Sequence, residues 1–378
     1  MKDSDVAAQD AVKFDETNMS WHLPPYTIES AGSVRSLAET IPEYVKRLGQ
    51  DFRAVKKASG NGTMKDGSPI KIGVVDTGAS SEHLSGDLGN LKERVDFTRS
   101  RNGANDVNDH GSWCLGAIGA DDDNDGIEGV ASDCELYSAK ALGDDGAGSV
   151  QGIAQAIDWC VSKGCRIVSL SLGGGFSATI DAACRRATQA GVIVVAAMGN
   201  SPRQPGHPGL SDHTLGVTAI DLSDRIAVFS SRSLKAIFTD YGVNVLSLLA
   251  RGRWGRLSGT SMSTPVVAGK LALALGYLDR AGYLTGDPVR DHDIVIDACV
   301  KTVDDMGRRG HDEEFGYGKI SMDKLMEEFP SRNPDSDNPT NPDNPDNPVG
   351  EEPKADIVTI ENVKVNGVEG SLRFVPKV

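Results

Sequence analysis

No stretch of the 378 residues stays apolar for the roughly 20 positions that a helix needs to cross a bilayer. Basic residues are in deficit, with 39 Lys and Arg against 54 Asp and Glu, a formal charge of −15. Nucleic acid and anionic membranes select clustered positive charge, so neither is expected as a partner. The same deficit is compatible with cation binding. Cysteine is sparse, six in all, with no CxxC pair of the metal-site kind and no dense framework. The start, "MKDSDVAAQDAVKFDE", lacks the basic end and apolar centre of a secretory leader. Taken as given, the chain is expected to be cytoplasmic with mostly reduced thiols, although a trimmed secreted chain would look the same. The spacing of Cys160 and Cys165 does not by itself make a bridge.

What is present is globular in composition, 39% hydrophobic and 25% charged, and long enough for one large domain with an appendage or two ordinary domains. Between residues 70 and 280 short apolar runs alternate with helix-like segments, as a parallel α/β sheet requires. "IKIGVVDTG", "RIVSLSLGGG" and "GVIVVAAMGN" read as buried strands ending in glycine and polar residues. "SVQGIAQAIDWCVSKG", with Val150, Ile153, Ile157 and Val161 at helical spacing, and "TIDAACRRATQAG" read as helices. Another helix is expected around Ile41 to Lys57. After Phe329, "PSRNPDSDNPTNPDNPDNPVGEEP" reads as an extended acidic linker. Beyond it, "ADIVTIENVKVNGVEGSLRFVPKV" suits a strand pair turning near Asn366-Gly367, which docks, swaps between chains in a homo-oligomer, or opens a longer module. The expected division is an extension over 1–40, a main domain over 41–329, a linker over 330–353 and a tail over 354–378.

The segment "GTSMSTPVVAG", Gly259 to Gly269, supports two readings. As a helix start, Thr260, Ser261 and Ser263 can accept bonds from unpaired amides, and Pro265 is tolerated in the first turn. A nucleophile at Ser261 would gain the positive partial charge and free N–H groups of that helix end for a developing oxyanion. Both stay open on these residues alone. In open α/β sheets the carboxyl ends of the strands gather the functional loops. Asp76 in "GVVDTG" and Asn200 in "VVAAMGN" stand at such ends, while His110 in "NDHGSWCLGAIGA" precedes a run suited to a buried helix. Singly they could be a turn residue, a strand terminator and a helix cap. Their order along the chain, Asp, His, Ser, is one of the three known sequential arrangements of a serine-hydrolase triad, that of subtilisin.

"VVDTG", "DHGS", "SLSLGG", "AMGNS" and "GTSMSTP" all occur in order, and from Pro69 to Lys324 the chain resembles subtilisin-like serine peptidases of the subtilase superfamily, peptidase S8 type. The resemblance implies an α/β fold of the subtilisin-like three-layer kind, with a mainly parallel central sheet flanked by helices. It also implies a serine endopeptidase acting on protein or peptide substrates. Ser261 would be the nucleophile, His110 its general base and Asp76 the group orienting the imidazole, with the Asn200 amide and the Ser261 N–H forming the oxyanion hole. An extended peptide would lie between Ser171-Leu172-Gly173 and Asp145-Gly146-Ala147. Gly173, Gly199 and Gly206 would border one side-chain pocket, and Val150, Ile153 and Leu172 would line a second, giving broad specificity for apolar side chains. Ordinary loop glycines and core aliphatics remain the plainer reading of these pocket residues.

The chain departs from the family pattern after the histidine, where Gly111-Ser112-Trp113-Cys114 stands in place of the usual Gly-Thr-His. Trp113 puts the local packing in question, and Cys114 resembles the free thiol of the proteinase K branch, read here as a buried thiol. "ADDDNDGIEGVA" starts like an EF-hand loop with Asp121, Asp123, Asp125 and Gly126, but its twelfth position is Ser132 rather than glutamate, which excludes that motif. The resemblance instead implies a structural Ca²⁺ site at this loop, using Asp87, Asp121, Asp123 and Asp125, against the alternative of a solvated acidic loop. "HLPPY", His22 to Tyr26, resembles the short extension that covers the active site of intracellular subtilisins. Pro24-Pro25 would make it a poorly cleaved cover removed for activation, while an ordinary surface arm is the alternative. Of the competing functions, an acid-active sedolisin fails because that class has glutamate at the place of His110 and aspartate at the oxyanion position. A catalytically silent scaffold working through its linker and tail is the non-enzyme reading.

Overall fold

The computed structural model describes residues 40–122 and 126–332, together with the backbone of strands at 21–22, 27–33, 359–365 and 368–373. The Leu-Pro-Pro-Tyr part of "HLPPY", Asp123, Asp125, the linker from 333 to 353 and residues 354–358 of the tail lie outside the described residues. In chain order the elements begin with β1 (Trp21–His22), β2 (Thr27–Ser33), α1 (Glu43–Lys46), α2 (Phe52–Ala58), β3 (Lys71–Asp76), β4 (Leu91–Asp96) and α3 (His110–Gly119). Next come β5 (Glu135–Lys140), β6 (Ala147–Gly148), α4 (Val150–Ser162), β7 (Ile167–Leu170), α5 (Ala178–Gln189), β8 (Ile193–Ala197), β9 (Leu215–Ile220) and β10 (Ala236–Tyr241). The hairpin β11 (Val245–Leu249) and β12 (Arg253–Ser258) leads into α6 (Thr260–Arg280), followed by α7 (Pro288–Lys301), β13 (Val303–Asp304), β14 (Lys319–Ile320) and α8 (Met322–Glu328). A separate unit from Asn333 onward holds the antiparallel pair β15 (Thr359–Val365) and β16 (Val368–Arg373), with Val365 opposite Val368.

The strands expected at "IKIGVVDTG", "RIVSLSLGGG" and "GVIVVAAMGN" are β3, β7 and β8, and they occupy the middle of a seven-stranded sheet in the order β10-β9-β8-β7-β3-β5-β4. Every pairing in it is parallel. Parallel strands are covered on both faces, so successive residues divide between two cores. Ile72, Val74, Ile167, Ile193 and Val195 join the first core with Trp113 and Leu115 of α3 and Val266 and Leu271 of α6. Val75, Val168, Leu170, Val194 and Ala196 join the second with Ile153 and Ile157 of α4 and Ala183 of α5. Helix, sheet and helix thus form the three layers expected. Ser149 and Ser177 cap α4 and α5 by accepting from the Gly152 and Ile180 amides, as small hydroxyl residues do at helix starts.

The sheet order reverses at its centre. From β3 the chain goes to β4 and β5 on one side, and from β7 to β10 it builds outward on the other. A crevice therefore opens between the carboxyl ends of β3 and β7, the place where such sheets bind ligands.

α6 runs through the first core and is buried from Thr260 to Asp279, so it carries no solvent face for most of its length. Its one buried cation, Lys270, bonds Asp240 of β10 at 2.6 Å; burial lowers the Lys270 pKa and the carboxylate opposes that shift. The helix expected over 41–57 divides instead into α1 and α2. Asp323 of α8 accepts the Gln50 amide at 2.8 Å, and a Cβ at Gly49 would meet its Oδ1 at 2.4 Å, so a contact from far along the chain interrupts the helix there. Asp51 then caps α2, accepting from the Arg53 and Ala54 amides. All six cysteines are free and buried.

Candidate active site

Asp76 ends β3 and His110 begins α3, and the structure brings them together at the crevice. His110 Nδ1 lies 2.8 Å from Asp76 Oδ1, with both side chains buried, and the Thr77 amide donates to the same oxygen at 2.7 Å. This approach depends on Gly111. A Cβ there would stand 2.3 Å from the Gly78 carbonyl oxygen, and the Gly111 amide donates to Thr77 Oγ1 at 2.8 Å.

Asp106, which sequence reasoning missed, anchors both segments from beneath. Its carboxylate accepts from Thr77 Oγ1 at 3.0 Å, from the Asn108 amide at 2.8 Å, and from the Ser112 amide and hydroxyl at 2.8 and 2.6 Å. Burial raises the Asp106 pKa, and the Ser112 bonds pull the other way. Ser112, a departure from the family pattern, also accepts from the Ser80 amide at 3.0 Å. Trp113, the other departure, is fully buried and donates through Nε1 to the Gly255 carbonyl of β12 at 3.3 Å. The bulky ring therefore fills the space under the β11–β12 hairpin.

Ser261 is the second residue of α6, and the helix start differs from expectation. The N-cap is Gly259 with no side-chain cap, and the hydroxyls of Ser263 and Thr264 donate to the Thr260 carbonyl instead of accepting amides. Pro265 lies beyond the first turn. Having no N–H, it frees the carbonyl four residues earlier, which is that of Ser261. That carbonyl accepts from Ser171 Oγ at 2.9 Å and lies 3.8 Å from Cys114 Sγ. Burial pushes the Cys114 thiol well above the ordinary cysteine range, so it stays protonated. Ser261 Oγ in turn donates to the Ser171 carbonyl at 3.2 Å.

Asn200 follows β8 at the neighbouring strand end. Its Oδ1 accepts the Thr260 amide and hydroxyl at 2.8 and 2.9 Å, which fixes the turn of the amide group. Nδ2 then faces Gly259, where an added Cβ would stand 3.0 Å away. The Gly199 amide is held by Thr260 Oγ1 at 3.1 Å. Thr260, read from the sequence only as a helix-start hydroxyl, thus ties the candidate oxyanion donor to the candidate nucleophile.

Ser171, Leu172 and Gly173 continue from β7. Gly174 and His207 exchange backbone bonds of 2.9 and 3.1 Å in an antiparallel bridge, so a Cβ at Gly206 would stand 3.4 Å from the Gly174 carbonyl oxygen and one at Gly173 3.7 Å from that of His207. Across the crevice, only Ala147 of the expected Asp145-Gly146-Ala147 edge lies in a strand. β6 is Ala147–Gly148, while Asp145 is exposed and closes the preceding turn by accepting from the Ala147 amide at 3.0 Å, with Gly146 at φ 80°. Val150, Ile153 and Leu172 are buried beneath this edge. β1 pairs antiparallel with β6, Trp21 opposite Gly148 and His22 opposite Ala147. β2 pairs antiparallel with β12, Thr27 opposite Ser258.

Of the four carboxylates expected at the acidic loop, Asp87 is 5% exposed and holds the loop at both ends. Its Oδ1 accepts the Ile127 amide at 2.8 Å and its carbonyl accepts the Asp121 amide at 2.9 Å. Among the described residues, the group of His, Cys and carboxylate atoms close enough to share a metal is Asp76, His110 and Cys114, and two of those already bond each other.

The profile of the Subtilase family, peptidase S8, matches residues 67–318, which takes in all of these segments except the two N-terminal strands. The chain belongs to the subtilase family. It is 36% identical to an alkaline protease of Alkalihalobacillus alcalophilus over 248 residues, covering 65% of this chain and 62% of that protein. It is 38% identical to subtilisin BL of Lederbergia lenta over 209 residues, covering 55% of this chain and 76% of that one. The minor extracellular protease Epr of Bacillus subtilis is 32% identical over 257 residues, 67% of this chain and 38% of the relative. This subtilase therefore spans less than two thirds of the length of the alkaline proteases it matches.

The bond from Ser171 to the Ser261 carbonyl can be tested in a Ser261→Ala background, which leaves that carbonyl in place. Adding Ser171→Ala leaves a buried carbonyl with only a thiol beside it. A loss of about 1–3 kcal/mol in urea unfolding is expected, and an unchanged midpoint would show that this bond does not hold the helix.

Proposed function

We propose that the protein is a serine endopeptidase that cleaves extended peptides through an acyl-enzyme. The observation that carries this reading is the buried Asp76–His110 bond at 2.8 Å, set in the crevice where α6 begins at Thr260-Ser261. In the Michaelis complex the Ser261 hydroxyl turns from the Ser171 carbonyl toward His110, as catalytic bonds commonly tighten only when substrate is bound. His110 Nε2 takes the hydroxyl proton as Oγ attacks the carbonyl carbon. The oxyanion is held by Asn200 Nδ2 and the Ser261 N–H, while Asp76 stabilises the imidazolium through Nδ1. Collapse of the tetrahedral species passes the proton to the leaving amine, and water then releases the acyl group by the same route in reverse. Substrate backbone adds as a strand between Ser171–Gly173 and β6.

The N-terminal strands support a covering role for the segment around "HLPPY". β1 occupies the β6 edge that a substrate would use, and β2 occupies β12, the strand that leads to the nucleophile. A tethered strand acts at an effective concentration of order mM, so it outcompetes substrates present at micromolar levels. Residues 23–26 are all the sequence that separates the two strands. Deleting residues 1–33 should raise the hydrolysis of a chromogenic peptide at least about tenfold, and Ser261→Ala should abolish it. Equal rates with and without the segment would remove the covering role, and hydrolysis by the Ser261→Ala chain would remove the peptidase assignment.

Calcium is proposed at the loop from Asp121 to Ile127. Asp87 fits a hard cation, being a buried carboxylate joined to both ends of that loop, with Asp121, Asp123 and Asp125 supplying further oxygens. Chelation should lower the melting temperature of the Ser261→Ala chain, and the Asp87→Asn variant should lose that sensitivity. A melting temperature indifferent to chelator would dispose of the site.

A further inference from the structure

Asp109 immediately precedes His110 and has φ 91° and ψ −31°. An L-residue with a side chain seldom adopts that backbone, and it persists only where the surroundings impose it. Aspartate at a helix N-cap ordinarily turns its carboxylate onto the first amides of its own helix. Here it makes no such bond. Its Oδ1 instead accepts the Ala250 amide at 3.0 Å and the Arg253 guanidinium, and Arg253 Nε closes the ring by donating to the Ala250 carbonyl at 3.0 Å. The side chain is 11% exposed and lies in the turn that joins β11 to β12.

That turn also holds the segment after Asp76. The Arg251 amide donates to Ser80 Oγ at 3.0 Å, and the Leu249 carbonyl lies 2.8 Å from His83 Nε2. Its outgoing strand, β12, runs from Arg253 to Ser258 and enters α6 through Gly259. One hairpin therefore grips the chain just after Asp76 and just before His110, and leads directly to Ser261.

We infer that Asp109 is a positioning residue for His110: its carboxylate, clamped by Ala250 and Arg253, holds the backbone at positive φ and so aims the imidazole at Asp76. The inference rests on the peptidase reading for its kinetic consequence but not for its geometry. If the clamp opened, the backbone would no longer be held at positive φ and the first turn of α3 would be free to rotate. The Asp109 carbonyl starts that turn by accepting the Trp113 amide at 3.1 Å, so the ring would swing with it.

The full chain and its Asp109→Ala, Asp109→Gly and Asp109→Asn variants should be compared by peptide hydrolysis and by the downfield proton resonance of the His110 Nδ1–H bond. Glycine tolerates positive φ without strain, so it removes the clamp while sparing the fold. Both Ala and Gly should lower kcat at least about tenfold with KM within about twofold, since small misplacements of a catalytic group are costly. Both should shift or lose the resonance. Asn keeps the acceptor for the Ala250 amide and should retain about a third or more of kcat. Unchanged kcat and resonance in the Gly variant would overturn the inference, as would equal losses in kcat and affinity with the resonance intact. If the parent chain cleaves no peptide, with or without residues 1–33, yet shows a resonance that Asp109→Gly removes, the peptidase reading fails and the positioning role stands.

Discussion

Pro265 brings no N–H to α6, and the Ser261 carbonyl left without a helical partner is taken by the Ser171 hydroxyl, with the Cys114 thiol beside it. That substitution of partners joins three parts of the fold at one oxygen: the start of α6, the segment leaving β7 and the first turns of α3. A buried carbonyl must be paired, so the helix cannot slide without losing the bond. The position of Ser261 is therefore set by the sheet edge that a substrate would occupy. Around this point the remaining contacts are reciprocal. Thr260 holds Asn200, Gly111 lets α3 approach the turn after Asp76, and Asp106 binds both segments from below.

Charge is used sparingly inside this assembly. The chain is acidic overall, yet the carboxylates near the crevice are each committed to a neighbour: Asp76 to His110, Asp106 to Thr77 and Ser112, Asp109 to the β11–β12 turn. Cys114 adds no charge because its burial keeps the thiol protonated. Among the described residues, an imidazole set among neutral or committed groups suits the general-base role proposed for His110. The two N-terminal strands complete the picture by placing the chain's own backbone on β6 and β12, the edges on either side of Ser261.

Much of this was legible in the sequence for local reasons. β3, β7 and β8 are continuous apolar runs that end in glycine, and α4 and α5 follow hydroxyl caps with helical spacing. Asp76, His110, Asn200 and Ser261 stand where strands end or helices begin, so their candidacy could be read without knowing the fold. What stayed hidden depends on partners far along the chain. Asp106 meets Thr77, Asp109 meets Ala250 and Arg253, and the break between α1 and α2 is made by Asp323. The edge expected at Asp145–Ala147 begins later because Asp145 is spent on closing a turn. The hydroxyls near Ser261 looked like caps because composition cannot say whether a hydroxyl accepts an amide or donates to a carbonyl.

The central claim is that Ser261 is the reactive hydroxyl of the crevice. The most direct test is to treat the chain lacking residues 1–33 with a fluorophosphonate and map the adduct by mass spectrometry of peptides. A single adduct on Ser261, absent once Asn200 and His110 are both replaced by alanine, is the expected result. No adduct, or one on another serine, would contradict the account.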